Sequence, residues 1–298
     1  MKNINFKKAI PIISAIVIFV ALTYGYFSPM LKGKVILQSD MVSVHGMTKE
    51  VDDFREKYHE EPLWTNSMFG GMPAYLISVR SPASLIVHVR TVLTLGMSSP
   101  AMIVFNYMLG FFILFLVLRV NPWLSIVGAV AFAFSSYMFI IIDAGHITKA
   151  LAIGYMAPVF ASVILVCRKK YLLGGSLLAL FMALELYSSH VQITYYLIML
   201  LVVYVSFEFV ALIKEKEFKT IGQMLGVFAL AAVLAFGCNA SNLLNTLDYA
   251  KYTIRGESEL TENAKNKTSG LDRDYVVQWS IGIINDMVSA LPILHCTT

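Results

Sequence analysis

Long apolar runs alternate with short polar turns from one end of this chain to the other. Crossing a hydrocarbon layer of about 30 Å takes roughly 20 helical residues, and several runs approach or reach that length. The runs are continuously apolar, which favours helices over barrel strands. The sequence therefore predicts an all-α polytopic membrane protein of about seven transmembrane helices. The predicted spans are residues 9–27, 102–120, 123–142, 151–166, 172–187, 193–213 and 221–243.

The first span follows Lys2, Lys7 and Lys8, an arrangement that is also typical of a signal peptide. No pattern of small residues that would mark a cleavage site follows it. Residues 24–29 (YGYFSP) instead resemble an aromatic exit at the membrane interface. We therefore expect an uncleaved anchor.

Basic residues are concentrated in alternate short turns of the predicted topology. Arg119 lies in one such turn, residues 168–170 (RKK) in the next, and Lys214, Lys216 and Lys219 in the third. Lysine and arginine accumulate in cytoplasmic loops, so we predict a cytoplasmic N-terminus. Residues 28–101 and 244–298 then form two outer loops. The domain organisation predicted is a transmembrane module over 1–243 and a second outer region over 244–298.

The first outer loop carries two helical patterns. One apolar stripe predicts an amphipathic helix that lies against the membrane or the helical bundle. A second interfacial helix is expected over residues 82–95, after an ordered loop over 61–74 rich in turn formers and aromatics. The stripe of the first helix consists of Met41, Val44, Met47, Val51, Phe54 and Tyr58.

Composition supports the membrane class and excludes several others. Hydrophobic residues make up 57% of the chain and charged residues 14%, with a mean hydropathy of +0.69. A soluble domain could not bury so much apolar surface. The net charge of +4 follows mostly from the basic turns, and no basic-aromatic stripe indicates a nucleic-acid partner. The three cysteines have no metal-ligand spacing, and no phosphate-binding glycine loop or nucleophile elbow occurs.

Several segments resemble the YfhO-type family of bacterial membrane proteins, over about residues 20–280. The segments are 26–29 (YFSP), 38–40 (QSD), 61–75 (EPLWTNSMFGGMPAY), 144–149 (AGHITK), 190–196 (HVQITYY), 255–261 (RGESELT), 267–272 (KTSGLD) and 274–280 (DYVVQWS). That family is similar to the multi-spanning glycosyltransferases of fold type C, which use a polyprenyl-phosphate sugar as donor. YfhO-type proteins are usually longer, so the resemblance implies the N-terminal portion of such a protein. We expect the short chain to be inactive alone.

Asp40 is the catalytic residue that the resemblance implies. It follows the first span by about a dozen residues, where type C transferases place an acidic residue that can act as a base beside the acceptor hydroxyl. The competing interpretation is structural, because Ser39 or Asp40 is also a favourable N-cap for the helix over 41–58. One residue can serve both purposes.

A second group of candidates occupies the outer turn over residues 143–149 (DAGHITK). Polar groups this close to a bilayer are costly unless they are paired or functional. His146 and Lys149 are predicted to stabilise the phosphate of the donor, with Asp143 orienting His146. The alternative is a capped turn with a lysine that extends to the interface.

The remaining candidates are Glu185, His190 and Arg255. Glu185 and His190 flank the outer end of the fifth span, and Glu185 should face the bundle interior, where it either supports the site or bonds to a neighbouring helix. Arg255 is a predicted phosphate partner, since its guanidinium binds bidentately. A solvated loop charge is its alternative. No metal ligands are predicted, and the need for a divalent cation is open.

The expected function is transfer of a sugar from a polyprenyl-phosphate donor to a cell-envelope polymer or glycan, on the outer face of the bacterial cytoplasmic membrane. Membrane lipids are the other expected partners. Two alternatives remain at this point: a transporter or flippase of lipid-linked envelope precursors, and a non-catalytic scaffold. Transporters often contain internal repeats and broken helices. No repeat is evident here, and the candidate residues lie at the outer side, which favours transfer.

Overall fold

The computed structural model describes residues 6–78 and 84–253, and these are predominantly helical. A two-stranded antiparallel hairpin and two short 3₁₀ helices complete the described secondary structure. The elements are α1 (Phe6–Tyr26), α2 (Ser39–Tyr58), β1 (Trp64–Thr65), β2 (Met72–Pro73), α3 (Leu85–Leu93), α4 (Ala101–Val117), α5 (Pro122–Ala133), α6 (Ser136–Asp143), α7 (Ile147–Cys167), α8 (Tyr171–Tyr187), α9 (Val191–Lys214) and α10 (Phe218–Ala250).

The structure confirms an all-α membrane class within the described residues. Four helices are long and apolar enough to cross a bilayer, namely α1, α7, α9 and α10, and the bent pair α5–α6 makes a fifth. Helices α4 and α8 are apolar but have 17 residues each, so they are about 25 Å long. Each of the seven predicted spans thus coincides with a helix or a bent helix pair, while four or five meet the length of a full span.

The predicted span over 123–142 is broken, which corrects the expectation of one continuous helix. Helix α5 ends at Ala133, α6 begins at Ser136, and the two axes differ by 45°. Ser135 precedes α6 in an extended conformation, with φ −69° and ψ 148°. The break falls at the adjacent Ser135 and Ser136, and sharp kinks in helices often occur at pairs of glycine or serine residues. Helix α6 therefore reaches the α6–α7 turn in a direction that differs from the axis of α5.

Helix α7 forms the centre of the bundle and packs against α4, α8 and α9. Small residues permit these close approaches. A Cβ on Gly110 would lie 2.7 Å from the carbonyl oxygen of Gly154, and one on Gly174 would lie 2.7 Å from the amide nitrogen of Val166. The edge-on contact of Phe19 with Phe112, at 5.7 Å between ring centroids, joins α1 to α4.

The three basic turns lie together at one end of the bundle. Arg168, in the α7–α8 turn, donates to the carbonyl of Val117 at the end of α4. Lys169 lies 3.5 Å from the carboxylate of Glu217, in the α9–α10 turn. This grouping agrees with the alternation from which the orientation was predicted; which compartment this end faces stays a prediction.

Helix α2 holds the β1–β2 hairpin through two charged side chains. One carboxylate oxygen of Glu50 accepts hydrogen bonds from the Thr65 hydroxyl and from the amides of Asn66 and Ser67. The hydrogen bond from Thr65 is the main cause that lowers the pKa of Glu50. The buried Arg55 donates from Nε to Glu61, at 2.7 Å, and also to Asp52 and Ser78. The loop over residues 61–74 is therefore ordered, as predicted.

The buried face of α2 differs from the predicted stripe at its C-terminal half. Met41, Val44 and Met47 are half-buried and Val51 is buried, as expected. Phe54 and Tyr58 are exposed and pack on each other, with ring centroids 4.7 Å apart. Arg55 takes the inward position because it has carboxylate and hydroxyl partners there. The second predicted helix, α3, is present and shorter than expected, with Leu85 and Val92 exposed.

The chain divides into two compact units, residues 1–239 and 240–298. The first contains the bundle, α2, the hairpin and α3. In the described part of the second unit, α10 runs to Ala250, so the helix extends beyond the predicted end of the last span at residue 243. Lys251 pairs with Asp248 at 2.7 Å.

Candidate functional site

The segment that precedes and begins α2 is bound to the α6–α7 turn. Gln38 donates its side-chain amide to the carbonyl of Ile142. The Ser39 hydroxyl and the Asp40 amide both donate to the carbonyl of Ala144, each at 3.3 Å. Three consecutive residues, 38–40, therefore fix the position of the α6–α7 turn, and the side chains of the two segments are held relative to one another.

Gly145 allows this close approach. A Cβ at this position would lie 3.1 Å from the Cβ of Asp40 and 3.3 Å from that of Gln38, and the backbone φ is +90°. Both the space and the conformation are suited to glycine, which lacks a Cβ and tolerates positive φ. The sequence QSD at 38–40 thus fits against AGH at 144–146 through backbone contact.

Asp40 and His146 form a pair across this junction. The Asp40 Oδ2 lies 2.8 Å from the His146 Nδ1, and each side chain is about half exposed. The predicted capping role of Ser39 or Asp40 is wrong, because α2 begins at Ser39 and its N-cap residue is Gln38. Asp40 instead lies in the first turn, where a negative charge favours the helix dipole. Its carboxylate is therefore directed to a functional group of another element.

An open cavity of about 610 Å³ lies beside this pair. Ligand pockets typically have volumes of about 300–1,000 Å³ and combine apolar walls with a few polar groups, and this cavity has that character. The apolar wall comes from α2, from α7 and from Ile77. The polar lining residues are Asp40, His146, Thr148, Lys149 and His190, and the apolar ones are Met41, Val44, Ile77 and Ile147.

Lys149 contributes a cation to the cavity from the first turn of α7. Its Nζ lies 5.4 Å from the centroid of the Tyr137 ring, a distance at which a ring face attracts a cation. In residues 6–78 and 84–253 no carboxylate forms an ion pair with Lys149. Among the described residues, its charge is therefore not neutralised by a carboxylate.

His190 enters the cavity from the α8–α9 turn, where it is the N-cap residue of α9. Its Nδ1 accepts a hydrogen bond from the amide of Ile193, at 3.4 Å. Burial is the main cause that lowers the pKa of His190; a backbone hydrogen bond raises it, and the nearby charge of Lys149 lowers it again. His190 is therefore neutral near pH 7.

Two of the predicted supporting residues lie away from this cavity. Asp143 lines a second cavity of about 300 Å³, with Tyr26 and Phe139, and the carboxylate on His146 is supplied by Asp40 instead. Glu185 is fully buried in α8, where its Oε1 accepts from the Thr194 hydroxyl at 3.1 Å. Its Oε2 has no hydrogen-bond partner among the described residues. Glu185 thus links α8 to α9.

The structure brings four of the predicted site residues into one cavity: Asp40, His146, Lys149 and His190. Arg255 lies outside the described residues. Within the described part, no cluster of three or more histidine, cysteine or acidic side chains could hold a metal ion.

Sequence reasoning missed Gln38 and Gly145, which hold the site together without any reactive group. Their signal was local: an amide two residues before Asp40, and a glycine directly before His146. Neither signal identifies its partner, because the hydrogen bond of Gln38 to Ile142 joins residues 104 positions apart.

No protein-family model, curated protein or solved structure matches this chain.

Proposed function

We propose that this chain carries the reaction centre of a membrane glycosyltransferase, similar to the YfhO-type family and to fold type C. It moves a sugar from a polyprenyl-phosphate donor to a cell-envelope acceptor on the outer face of the bacterial cytoplasmic membrane. One observation carries the proposal: a single cavity combines the carboxylate–histidine pair Asp40–His146 with the cation of Lys149.

Each group has a place in that reaction. Attack of an acceptor hydroxyl on the sugar carbon requires a base beside the hydroxyl, and the Asp40–His146 pair supplies one. The bond that breaks leaves negative charge on the phosphate of the donor. Lys149 stabilises that charge, and His190 lies on the same cavity wall.

The position of the cavity suits a donor anchored in lipid. Its polar residues lie at the ends of membrane helices, in the α6–α7 and α8–α9 turns, and at the start of the outer helix α2. Met41, Val44 and Ile77 give it an apolar side. A polyprenyl chain can stay in the bilayer while its phosphate and sugar occupy this cavity.

The test is sugar transfer by the chain reconstituted in lipid vesicles; transfer by this chain would overturn the expectation, implied by the resemblance, that it is inactive alone. The probe is a polyprenyl-phosphate hexose with a radiolabelled sugar, and total envelope polymer is the acceptor. Lys149→Met should raise the KM for the donor by roughly 10- to 100-fold, because it removes a charge-assisted contact to phosphate. Lys170→Met is the matched control, since it removes the same charge from the opposite end of the bundle, and it should leave the KM unchanged.

The assay also separates the alternatives. If the labelled donor crosses the vesicle membrane without transfer to polymer, the chain is a flippase and the proposal is wrong. A chain that neither transfers nor moves the donor acts as a scaffold, which contradicts the proposal equally.

A further inference from the structure

We propose that the two histidines of the cavity hold opposite tautomers. His146 accepts a proton through Nε2, His190 donates a hydrogen bond through Nε2–H, and Asp40 is a positioning residue that orients His146. The inference rests on the proposed function, because it assigns the parts of that reaction, yet the tautomers can be measured without any substrate.

The tautomer of His146 follows from its partner. The Asp40 Oδ2 lies 2.8 Å from Nδ1, and an ionised carboxylate only accepts hydrogen bonds. Nδ1 therefore carries the proton, and in the neutral ring Nε2 keeps its lone pair. Within the described ranges no hydrogen bond engages Nε2, and His146 lines the cavity. The nitrogen that can take up a proton is thus on the side away from Asp40.

The orientation of this pair is fixed by the backbone around it. The amide of Asp40 and the hydroxyl of Ser39 donate to the carbonyl of Ala144, two residues before His146. Gly145 holds the two segments within van der Waals contact. Asp40 is accordingly placed to orient the ring of His146. Because its carboxylate accepts from that ring, Asp40 is not the base for the acceptor hydroxyl.

His190 has the opposite arrangement. Its Nδ1 accepts from the amide of Ile193, so the proton of the neutral ring is on Nε2. Burial is the main cause that lowers the pKa of His190, and the nearby charge of Lys149 also lowers it, which keeps the ring neutral near pH 7. His190 can therefore donate a hydrogen bond from Nε2 but cannot take up a second proton easily.

These two states divide the reaction between the rings. The O–H bond of the acceptor breaks and its proton moves to Nε2 of His146, while the acceptor oxygen bonds to the sugar carbon. The bond between that carbon and the phosphate oxygen breaks, and the electron pair leaves with the polyprenyl phosphate. His190 and Lys149 bind the phosphate, and the Asp40 carboxylate stabilises the imidazolium until its proton passes to water.

The tautomers are read by ¹⁵N NMR of the chain, labelled on its six histidines, in lipid nanodiscs. His146→Asn and His190→Asn assign the two rings. We expect the proton on Nδ1 of His146 and on Nε2 of His190. Asp40→Ala should leave His146 with a mixture of both tautomers. Asp53→Ala is the matched control. Asp53 lies on the same helix as Asp40, but its carboxylate pairs with Lys49 instead of a histidine.

Kinetics then test the assigned roles. Asp40→Ala and His146→Asn should lower kcat by roughly 10²- to 10⁴-fold, the usual range for a base, with little change in the KM for the donor. His190→Asn should raise that KM by roughly 10-fold or more, since it removes one donor to a charged phosphate. Asparagine is also a favourable N-cap, so α9 should still form.

A proton on Nε2 of His146, or an unchanged tautomer in Asp40→Ala, would overturn the inference. Normal kcat in His146→Asn would overturn the role of His146 as base. Expected tautomers without any sugar transfer by the unmodified chain would leave the ring assignment standing and refute the proposed function instead, so the two failures are distinguishable.

Discussion

At the scale of single residues, the site depends on close backbone contact as much as on reactive groups. Asp40 and His146 meet because residues 38–40 and 144–146 are in contact. Gly145 allows this contact because it has no Cβ. The exposed contact of Asp40 with His146 contributes little to stability by itself, since even fully charged exposed pairs are typically worth about 0.2–1 kcal/mol. Hydrogen bonds to the carbonyls of Ile142 and Ala144 therefore position the pair.

We predict that Gly145→Ala separates α2 from the α6–α7 turn. The new Cβ would press on Asp40 and Gln38, and a positive φ in a non-glycine residue costs about 1–3 kcal/mol. Hydrogen exchange should become faster at the start of α2, and the melting temperature should fall. Gly46→Ala is the control: nothing lies within 4 Å of a Cβ there, and alanine in a helix should stabilise slightly. Equal exchange in both variants would show that the contact is not required.

The candidate residues were predictable from the sequence only where their chemistry is unusual for a membrane chain. Histidine and lysine in a short outer turn stand out, so His146 and Lys149 were found. Asp143 was given the role that Asp40 has, because the sequence shows neighbours along the chain and not across it. The bond from Ser39 to Ala144 spans 105 positions, and no local pattern reports such a contact.

At the scale of elements, apolar periodicity located the helices well and their ends poorly. Every predicted span contains helix, since a continuous apolar run in lipid has few other options. The break at Ser135 was missed, because two serines inside an apolar run hardly change its mean hydropathy. The inward position of Arg55 was missed for a related reason. An apolar stripe does not reveal that a charged side chain will find Glu61 and Ser78 as partners.

We predict that Glu50→Ala releases the β1–β2 hairpin. The Glu50 carboxylate accepts from Thr65, Asn66 and Ser67, and alanine removes all three acceptor contacts. Deuterium uptake over residues 61–75 should rise, measured by mass spectrometry. Glu56→Ala provides the comparison, as Glu56 is exposed on the same helix. If deuterium uptake over residues 61–75 is the same in both variants, Glu50 does not stabilise the hairpin.

The same contact predicts a pH dependence. Hydrogen bonding lowers the pKa of Glu50 below its usual value of 4.5, so its stabilisation of the hairpin is fully present above pH 4.5. It is lost as the pH falls through the lowered pKa, because the protonated carboxyl is a poorer acceptor. Uptake over residues 61–75, corrected for the intrinsic exchange rate, should therefore rise only below pH 4.5. A rise already at pH 6 would assign the hairpin's stability to another group.

At the scale of the whole molecule, the distribution of apolar surface requires lipid. The apolar window of α7 is 78% buried inside the protein, while that of α9 is 6% buried. Large side chains on α9, among them Phe207 and Val203, are exposed. So much exposed apolar surface is incompatible with water and suits contact with acyl chains. Helix α7 is thus the core of the bundle and α9 lies at its boundary with lipid.

The ends of the bundle give a prediction about sidedness. The α6–α7 turn and the start of α2 lie together, and the three basic turns lie at another place, joined by Arg168 and Lys169. Because basic turns stay in the cytoplasm, Thr148→Cys and Asn66→Cys in a cysteine-free background should react with an impermeant thiol reagent in whole cells, and Lys170→Cys should not. Reaction at residue 170 alone would show that the topology is inverted, and the cavity would then not lie on the outer face.

The junction between residues 38–40 and the α6–α7 turn also sets an order of events during synthesis. Ser39 leaves the ribosome 105 residues before Ala144, whose carbonyl accepts from its hydroxyl. At roughly 5–20 residues per second, α2 waits about 5–20 s for its binding surface. During that interval residues 38–40 lack their partners in the α6–α7 turn, while α4, α5 and α6 are being made. The cavity itself stays incomplete for longer, because His190 lines it from the α8–α9 turn, which is made after α7 and α8.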